Sequence, residues 1–422
     1  MRAVIGKGKL EGTVRAIPSK SYAHRYLICA GLSGKEVDLY CPLDSEDILA
    51  TADCLRALGT EVRRNGDYLQ LKKGHLPDED VIRLMCRESG STLRFMLPVV
   101  AAMGGRYELY SEGRLPKRPL SPLYEELTAH GAVLGKQGIS PLSCEGKLRG
   151  GEYTIPGNIS SQYISGLLFA LPLLEEDSVL RITEIIESSP YIDLTIDCLE
   201  RSGIDPGRKD ERTFYIKGKQ DYDLEGSFSI EGDWSNAAFF LVASALTGGK
   251  VVVNGLREDS IQGDRKILSV LKEMGFVPAW EEGSLRILGH DSHGIVIDAR
   301  EIPDIIPPLA LLACGIEGTT KVINAGRLAF KESDRLEAIC SILGSLGADI
   351  ENDGKSLTIR GTGSISGGNT ETFNDHRMVM MAATASVISR GDIVIEGTEA
   401  VRKSYPVFFE DLAKLGGRVT VL

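Results

Sequence analysis

Two patterns of hydrophobic residues alternate along the chain. Short runs that alternate apolar and polar residues predict strands, whereas longer runs with apolar residues three or four apart predict helices. The first 74 residues show the order of these elements. They predict strand 13–17, helix 19–32, strand 36–40, helix 45–59, and the strand pair 60–66 and 67–74.

One phrase, a Leu-rich helix end followed by Gly and a strand, recurs at a period of 72 residues, with a last spacing of 69. It occurs at Gly59, Gly131, Gly203, Gly275, Gly347 and Gly416. A fixed period indicates a repeat architecture. The pattern therefore predicts six copies of one βαβαββ unit, and the recurring Gly is a suitable left-handed C-cap for the second helix.

The two helices of each unit differ in pattern. The first helices are apolar on most sides and are predicted to be buried, and the second helices are amphipathic and should cover one side of a sheet. The later first helices are predicted at 90–104, 160–174, 233–248, 303–315 and 375–389. The later second helices are predicted at 121–131, 191–203, 264–275, 334–347 and 406–416.

The ends of the chain complement each other. The sixth unit stops one strand short, while the first unit is preceded by a surplus strand, so we expect the N-terminus to supply the missing strand. A split into three and three units gives one domain at 19–230 and another at 231–422 plus 1–18, with the active site in the cleft between them. Two chain crossings would join these α/β domains, which suits a hinge.

Composition narrows the class of protein. With 422 residues, 42% hydrophobic and 25% charged, the chain is expected to be a soluble, cytoplasmic, globular protein of two or three domains. No apolar run approaches the ~20 residues of a membrane span. A net charge of −11 argues against a nucleic-acid groove or a basic membrane face. Eight scattered cysteines without a CxxC pattern suggest neither zinc nor disulfides.

Unusual residues collect where strands meet helices. Taken singly, Ser19, Ser160 and Asp233 have the sequence positions of ordinary N-caps, Ser333 of a capping box, and His376 of a structural imidazole. Equivalent junctions of stacked repeats lie on the same side, however, so their cations should converge with several helix N-termini. These cations are Lys20, Arg25, Arg118, Lys331, Arg335, Arg377 and Lys403.

Such a convergence on an acidic protein predicts a small, multiply charged anionic ligand. Helix N-termini favour anions, and guanidinium forks suit carboxylate and phosphate groups. Asp304 and Glu332 lie among these cations in one unit, and carboxylates placed there are candidates for proton transfer.

Eight motifs, in order along the whole chain, together resemble the enolpyruvyl transferases, and within them the 3-phosphoshikimate 1-carboxyvinyltransferase (enolpyruvylshikimate-phosphate synthase) family. The motifs are SKSxxxR at 19–25, SGSTLR at 89–94, KRP at 117–119, SSQ at 160–162, IPD at 302–304, KESDR at 331–335, NDHR at 374–377 and KSYP at 403–406. The resemblance implies two inside-out α/β barrels of three units each, which close on the substrates. It also implies transfer of the enolpyruvyl group of phosphoenolpyruvate to the 5-hydroxyl of shikimate 3-phosphate, by a monomer that needs neither metal nor organic cofactor.

The resemblance also implies roles for individual residues, carried over by motif. Catalysis would fall to Asp304 as general base, with Glu332 or Lys20 as proton donor. Shikimate 3-phosphate would be bound by Lys20, Ser21, Arg25, Ser160, Ser161, Gln162, Ser188, Asp304 and Lys331. Phosphoenolpyruvate would be bound by Lys20, Gly90, Arg118, Gln162, Arg335, Arg377 and Lys403.

Three positions depart from the family pattern, and two alternatives stay open. Arg327 occupies a place where some members have a substrate-binding Asn. Glu88 stands where the family often has Asn, and Ser91 replaces a Thr, so the response to glyphosate, which is expected to compete with phosphoenolpyruvate because Gly90 is kept, is an open question. The first alternative is enolpyruvyl transfer to UDP-N-acetylglucosamine, although no Cys lies near the KRP motif where that family generally has one. The second is a non-catalytic repeat protein that binds polyanions.

Overall fold

The computed structural model describes residues 1–289 and 291–422. Its α-helices lie close to the predicted ranges, and several end one or two residues earlier than predicted. The helices are α1 Lys20–Leu32, α2 Glu46–Ala57, α3 Gly90–Met103, α4 Leu123–Ala129, α5 Ser161–Ala170, α6 Pro190–Arg201, α7 Trp234–Leu246, α8 Ile267–Glu273, α9 Ile306–Cys314, α10 Arg335–Ser345, α11 His376–Thr384 and α12 Phe408–Lys414.

The strands alternate with these helices. They are β1 Arg2–Gly6, β2 Gly12–Arg15, β3 Glu36–Tyr40, β4 Glu61–Asn65, β5 Tyr68–Lys72, β6 Ile82–Arg87, β7 Gly105–Ser111, β8 Ala132–Leu134, β9 Leu142–Gly146, β10 Gly151–Pro156, β11 Ser178–Thr183, β12 Thr213–Ile216, β13 Gly226–Ser229, β14 Val251–Asn254, β15 Val277–Glu281, β16 Ser284–Leu288, β17 Val296–Asp298, β18 Glu317–Ile323, β19 Asp349–Asn352, β20 Leu357–Thr362, β21 Gly368–Glu371, β22 Ile393–Glu396 and β23 Arg418–Val421.

Within the described residues the strands form small mixed sheets, none of which closes into a barrel. Their strand orders are β13-β3-β5-β4, β6-β7-β9-β8, β10-β11-β12, β15-β16-β14-β2, β17-β18-β20-β19 and β21-β22-β1-β23. The chain divides into two compact bodies, residues 18–230 and residues 1–17 with 231–422. Both bodies have a mixed α/β fold.

Local sequence signals explain the helix ends. Ser19, Ser89 and Asp233 each cap a first helix by accepting a bond from the backbone N–H three residues later. At the other end of α2, Gly59 has a φ of +88° and the N–H of Thr60 donates to the carbonyl of Leu55, which is a Schellman C-cap. All six recurring glycines have positive φ, as the C-cap prediction requires.

The first helices form the interior of their bodies, as predicted. In α3 and α7 nearly every residue is buried, because these helices have no polar face to present to water. In the 18–230 body, α3 packs against α2 and α5, and α1 packs against α2 and α6. This arrangement brings the N-terminal turns of α1, α2 and α3 close to one another.

The N-terminal strand completes the last sheet, which confirms that prediction. β1 runs antiparallel to both β22 and β23, with Ala3 opposite Ile395 on one side and Val421 on the other. The backbone groups of Arg2 and Leu422 also bond to each other in both directions. The first and last strands in chain order, β1 and β23, thus belong to one sheet.

Two expectations within the units were wrong. Strand β2 does not join the sheet of the first unit; it pairs in parallel with β14, while β13 takes the place beside β3. Alternation along a strand shows that it is half-buried but does not identify its partner. The third unit also lacks one strand of its predicted pair, because Pro206 has no N–H to donate and Gly207 has a φ of +60°.

Candidate active site

A cluster of charged side chains lies in the 231–422 body, with Arg335 at its centre. Its side chain is only 1% exposed, and it donates from Nη1 to Asp304 Oδ1 at 2.7 Å and from Nη2 to Glu332 Oε2 at 2.7 Å. Nε donates to Asp375 Oδ2 at 2.8 Å. One guanidinium therefore holds three carboxylates in a fixed arrangement. A residue of KESDR does cap a helix, but it is Asp334, the N-cap of α10, rather than Ser333, and Arg335 is buried rather than solvated.

Two more cations lie around the same oxygen of Asp304. Lys331 Nζ is 3.5 Å from Asp304 Oδ1, and Arg377 Nε is 3.4 Å from it. This carboxylate is thus surrounded by positive charge, which favours its ionised form. An ionised carboxylate is the form that can accept a proton from a substrate hydroxyl.

Helix N-termini and strained loops position these groups. Asp375 caps α11, and the residues before it, Phe373 and Asn374, have φ values of +52° and +55°. Lys403, at the end of the 3₁₀ helix Thr398–Lys403, donates to the carbonyl of Asn374 at 2.7 Å. Non-glycine residues in the left-handed region cost about 1 kcal/mol or more each, so the surrounding structure must enforce this turn.

Burial and charge shift the ionisation of this cluster. Burial lowers the pKa of Lys331, while Asp304 works in the opposite direction. Burial alone would lower the pKa of Arg335, but Asp375, Glu332 and Asp304 outweigh it and raise that pKa. Burial likewise opposes ionisation of Asp375, yet Arg335 and His376 hold its pKa below the usual range. Arg335 and Asp375 are therefore a permanently charged pair.

A fourth carboxylate, Asp264, belongs to the same charged region. It is buried, and Ser235 Oγ donates a short hydrogen bond to its Oδ2. Burial and the charge of Asp304 raise the pKa of Asp264 to about 6, while Arg377 opposes the shift. The protonation of Asp264 therefore changes closer to neutral pH than that of an ordinary aspartate.

In the 18–230 body, Lys20 forms an ion pair with a carboxylate. Its Nζ lies 2.7 Å from Asp47 Oδ2, and both side chains are largely buried, at 15% and 12% exposed. Lys20 is the first residue of α1 and Asp47 lies in the first turn of α2. The pair therefore joins the N-termini of α1 and α2 and holds the ammonium group of Lys20 in a fixed position between them.

A second group in this body surrounds the N-terminus of α3. Gln162 bridges two side chains, accepting from Arg94 Nη1 at 2.9 Å and donating to Ser91 Oγ at 2.9 Å. A Cβ on Gly90 would lie 2.7 Å from Arg118 Nη1 and from Arg94 Nη1. Gly90 thus leaves two guanidinium groups next to open backbone amides, an arrangement that suits an anion. Ser91 keeps the hydroxyl of the Thr that it replaces.

All three nitrogens of the Arg25 side chain donate hydrogen bonds within the 18–230 body. Arg25 donates from Nε to Thr195 Oγ1 at 2.8 Å, from Nη1 to the Ser21 carbonyl at 2.7 Å and from Nη2 to the Tyr191 carbonyl at 2.8 Å. Burial lowers its pKa to about 10. These bonds tie α1 to α6, next to Ser188, which is buried with a φ of +59°.

Two serines of the SSQ motif have helix-terminal positions. Ser160 caps α5 by accepting from the N–H of Gln162 at 3.3 Å, and the buried Ser161 is the first residue of that helix. Ser160 therefore serves as the N-cap that its sequence position suggested. Its hydroxyl hydrogen is still available to donate to an anion.

The structure thus brings the predicted residues together within each body. Asp304, Lys331, Glu332, Arg335 and Arg377 form one connected cluster, and Lys403 joins it through the NDHR turn. Gly90 lies against Arg94 and Arg118, and Gln162 bonds to Arg94, while Lys20, Ser21 and Arg25 share the first turns of α1.

Four charged residues of these groups escaped the sequence analysis: Asp47, Arg94, Asp264 and Asp375. Asp47 and Asp264 lie at the start of the second helices predicted at 45–59 and 264–275, two junctions from which no candidate residue was taken. A comparison of all six equivalent junctions would have found both. Arg94 and Asp375 lie within the SGSTLR and NDHR motifs, but their partners depend on the tertiary structure.

The described residues contain neither a candidate membrane span nor a candidate metal site. None of the helices there is both long and apolar enough to cross a membrane. No group of three or more His, Cys, Asp or Glu side chains is placed to hold a metal ion in 1–289 or 291–422.

Comparisons with known proteins point to one family. The sequence model described as EPSP synthase (3-phosphoshikimate 1-carboxyvinyltransferase) matches residues 4–412. A protein of Clostridium kluyveri named 3-phosphoshikimate 1-carboxyvinyltransferase is 42% identical, over 98% of this chain and 97% of its own. The protein of that name from Clostridium acetobutylicum is 41% identical, over 97% and 96%.

Solved structures share the fold. An EPSP synthase from Acinetobacter baumannii matches with a TM-score of 0.81 at 24% identity, and the match covers 100% of both chains. The enolpyruvyl transferase NikO from Streptomyces tendae matches with a TM-score of 0.81 at 17% identity, over 99% of this chain and 98% of its own. At these identities the likeness shows the mixed α/β fold alone.

Proposed function

Because the chain belongs to the EPSP synthase family, we propose that it transfers the enolpyruvyl group of phosphoenolpyruvate to the 5-hydroxyl of shikimate 3-phosphate and releases phosphate. This reaction belongs to aromatic amino-acid biosynthesis. The single observation that carries the proposal is the Arg335 cluster, which gathers two candidate proton-transfer carboxylates, Asp304 and Glu332, with Lys331 and Arg377 in one place. A transfer between two anionic substrates needs both kinds of group.

Each substrate carries a carboxylate and a phosphate, and the cations divide between them. Phosphoenolpyruvate is bound by Lys20, Gly90, Arg118, Gln162, Arg335, Arg377 and Lys403. Shikimate 3-phosphate is bound by Lys20, Ser21, Arg25, Ser160, Ser161, Gln162, Ser188, Asp304 and Lys331. Since these residues are distributed over both bodies, the reaction requires both.

The reaction proceeds by addition and elimination. Asp304 takes the proton of the 5-hydroxyl as its oxygen bonds to C2 of phosphoenolpyruvate, and Glu332 or Lys20 delivers a proton to the methylene carbon. The resulting tetrahedral ketal returns a proton from its methyl group to the residue that delivered it, and Asp304 gives its proton to the departing phosphate. The C–O bond to phosphate breaks as the double bond re-forms. The surrounding guanidinium groups stabilise the negative charge that develops on the departing phosphate.

The finer architecture follows from the same family. Six βαβαββ units, three in each body, are arranged with their helices inside and their sheets outside. The buried first helices, such as α3 and α7, support this arrangement. The enzyme acts as a cytoplasmic monomer, and its reaction uses no metal and no organic cofactor.

The test is phosphate release from phosphoenolpyruvate by the purified protein with shikimate 3-phosphate, with UDP-N-acetylglucosamine, and with neither. We expect release that depends on shikimate 3-phosphate alone. Release with UDP-N-acetylglucosamine alone would assign the chain to the other transfer. No release with either acceptor, from a folded protein, would contradict the proposal, and a DNA or polyanion shift at moderate salt would then test a binding role.

A further inference from the structure

A chain of buried hydrogen bonds joins His24 to the N-terminus of α3. His24 Nδ1 lies 2.7 Å from Thr51 Oγ1, and Thr51 Oγ1 lies 2.7 Å from Thr92 Oγ1. Thr92 Oγ1 in turn donates to Ser89 Oγ at 2.8 Å. All four residues are at most 1% exposed. This hydrogen-bond chain runs from α1 through α2 to α3. None of its four residues is among those assigned to a substrate above.

The direction of these hydrogen bonds determines the tautomer of His24. Thr92 spends its single hydroxyl hydrogen on Ser89, so Thr51 must be the donor to Thr92. Thr51 then has no hydrogen left for His24, and the imidazole must donate from Nδ1–H. His24 is therefore in the neutral Nδ1–H tautomer, because Nε2 is buried without a hydrogen-bond partner among the described residues.

The surroundings keep His24 neutral. Burial is the main cause that lowers its pKa well below 6.5, and the positive charges of Lys20 and Arg25 lower it further. The imidazole packs edge-on against the ring of Phe95, with centroids 6.5 Å apart. A proton on Nε2 would thus face a buried environment that offers it no described partner.

One end of this hydrogen-bond chain lies one helical turn from Lys20, and the other end lies next to Gly90. His24 follows Lys20 by four residues on α1, and Thr51 follows Asp47 by four on α2, so the chain lies directly beneath the Lys20–Asp47 pair. Ser89 is the N-cap of α3 and immediately precedes Gly90. A shift of α3 against α1 would move Gly90 relative to the ammonium group of Lys20.

We propose that His24 is a positioning residue, which acts through Thr51, Thr92 and Ser89 to fix the first turn of α3 relative to α1 and α2. It thereby sets the pocket for the phosphoenolpyruvate phosphate around Gly90. This inference rests on the proposed function, since it assigns the α3 end of the chain to that substrate. Apolar packing between the helices allows small sliding, whereas a hydrogen-bonded chain specifies one register.

The kinetic test breaks the chain at its centre and at its end. Thr51→Val keeps the shape and removes the hydroxyl, and His24→Phe keeps the ring and removes the donor. We expect either change to raise KM for phosphoenolpyruvate about tenfold while KM for shikimate 3-phosphate changes less than about twofold. His24→Asn, whose Nδ2 can donate from nearly the place of Nδ1, should restore KM for phosphoenolpyruvate to within about twofold of the parent protein.

Thr60→Val is the matched control. Thr60 is also buried, and its hydroxyl donates to the carbonyl of Gly31 near the opposite end of α1. We expect it to affect the melting temperature but neither KM. If Thr51→Val and Thr60→Val lower the melting temperature alike and leave both KM values unchanged, His24 only stabilises the fold and the proposal is overturned.

A second measurement needs no substrate and so separates this inference from the proposed function. The ¹⁵N chemical shifts of the imidazole of His24 in the intact protein report which nitrogen carries the proton. We expect a protonated Nδ1 and a bare Nε2, and loss of the Nδ1–H assignment in Thr51→Val. If Nε2 rather than Nδ1 carries the proton, the proposed direction of the hydrogen bonds is wrong, even if the enzyme is active. If Nδ1 carries the proton but the protein releases no phosphate, only the proposed function is contradicted.

Discussion

At the scale of single residues, Arg335 shows what the sequence could and could not provide. Its place in the KESDR motif identified it as a candidate, because the cations of equivalent junctions were expected to converge. Its three carboxylate partners come from other motifs or from its own turn, and Asp375 lies 40 residues away in the sequence. Pairing over that distance depends on how α10 and α11 pack, which no local pattern encodes.

Asp304→Asn tests the general base at this scale. The amide keeps the volume and can still accept bonds from Arg335 and Lys331, but it cannot take a proton. We expect kcat to fall about 100-fold or more, with binding of shikimate 3-phosphate measured by calorimetry changed much less. Asp298→Asn, which alters a carboxylate paired with Arg300 in the same body, is the control and should leave kcat unchanged. A small effect on turnover in Asp304→Asn would place the base elsewhere.

Asp264 predicts a pH dependence of stability. Its pKa is raised from 3.8 to about 6 in the folded protein, so the folded state holds a proton that the unfolded chain releases between these values. The contribution of this group to stability therefore falls as the pH rises from about 4 to about 7. Asp264→Asn has no such pH dependence, because the amide does not ionise. The free energy of unfolding of the variant minus that of the parent, measured in urea, should therefore be about 1–3 kcal/mol higher at pH 7.5 than at pH 4.5.

The control for Asp264 is a carboxyl group whose pKa is shifted the other way. A hydrogen bond from Arg257 lowers the pKa of Asp259 below 3.8, so the stabilisation from this exposed group is lost only as the pH falls below about 4. Asp259→Asn should therefore change the free energy of unfolding by nearly the same amount at pH 4.5 and at pH 7.5. Equal pH profiles for Asp264→Asn and the parent would mean that Asp264 is ionised throughout.

At the scale of elements, caps and periodicity made most helices predictable. Alternation and apolar stripes identified α1 to α3 to within two residues at either end, and the recurring Gly marked the C-caps. Pairing partners were not predictable, as β2 and β13 show, because a half-buried strand pattern fits either sheet. At the N-terminus of α3, the cap and the periodicity that predicted the helix occur beside residues of the candidate site.

Gly90→Ala tests the N-terminus of α3. The new methyl group would meet the ends of Arg118 and Arg94, which can swing aside, so we expect the melting temperature to change by only a few degrees. The displaced guanidinium groups should raise KM for phosphoenolpyruvate about tenfold and weaken inhibition by glyphosate. Gly34→Ala, in open space in the same body, is the control. Glyphosate inhibition that is noncompetitive with phosphoenolpyruvate would contradict this picture of the pocket.

At the scale of the whole molecule, the chain builds two bodies of which one is discontinuous in sequence. Counting strands in each unit was enough to predict that β1 completes the last sheet, since an unfilled place and a surplus strand were both visible. The strand swap of β2 and β13 coincides with the two points where the chain passes between bodies, at 17–18 and 230–231. Periodicity places those points only approximately.

Val4→Pro tests the central strand of that sheet. Val4 lies between Val394 and Thr420, and proline removes a ladder hydrogen bond that a central strand cannot spare. We expect the thermal midpoint of the body that contains residues 231–422 to fall by about 5 °C or more. Val4→Thr keeps the β-branched shape and the N–H and should shift it by much less. Equal shifts would mean that β1 is dispensable for this body.

The place of β1 also has a consequence for synthesis on the ribosome. Arg418 bonds to the carbonyl of Lys7, 411 residues earlier in the chain, and β23 lies beside β1 along its length. Domains generally fold as they emerge, N-terminal parts first, so the 18–230 body can be complete while the other still waits for its last strand. Both strand partners of β1, β22 and β23, are synthesised near the end of the chain, so we expect the unpaired β1 to be a place where nascent chains associate or recruit chaperones.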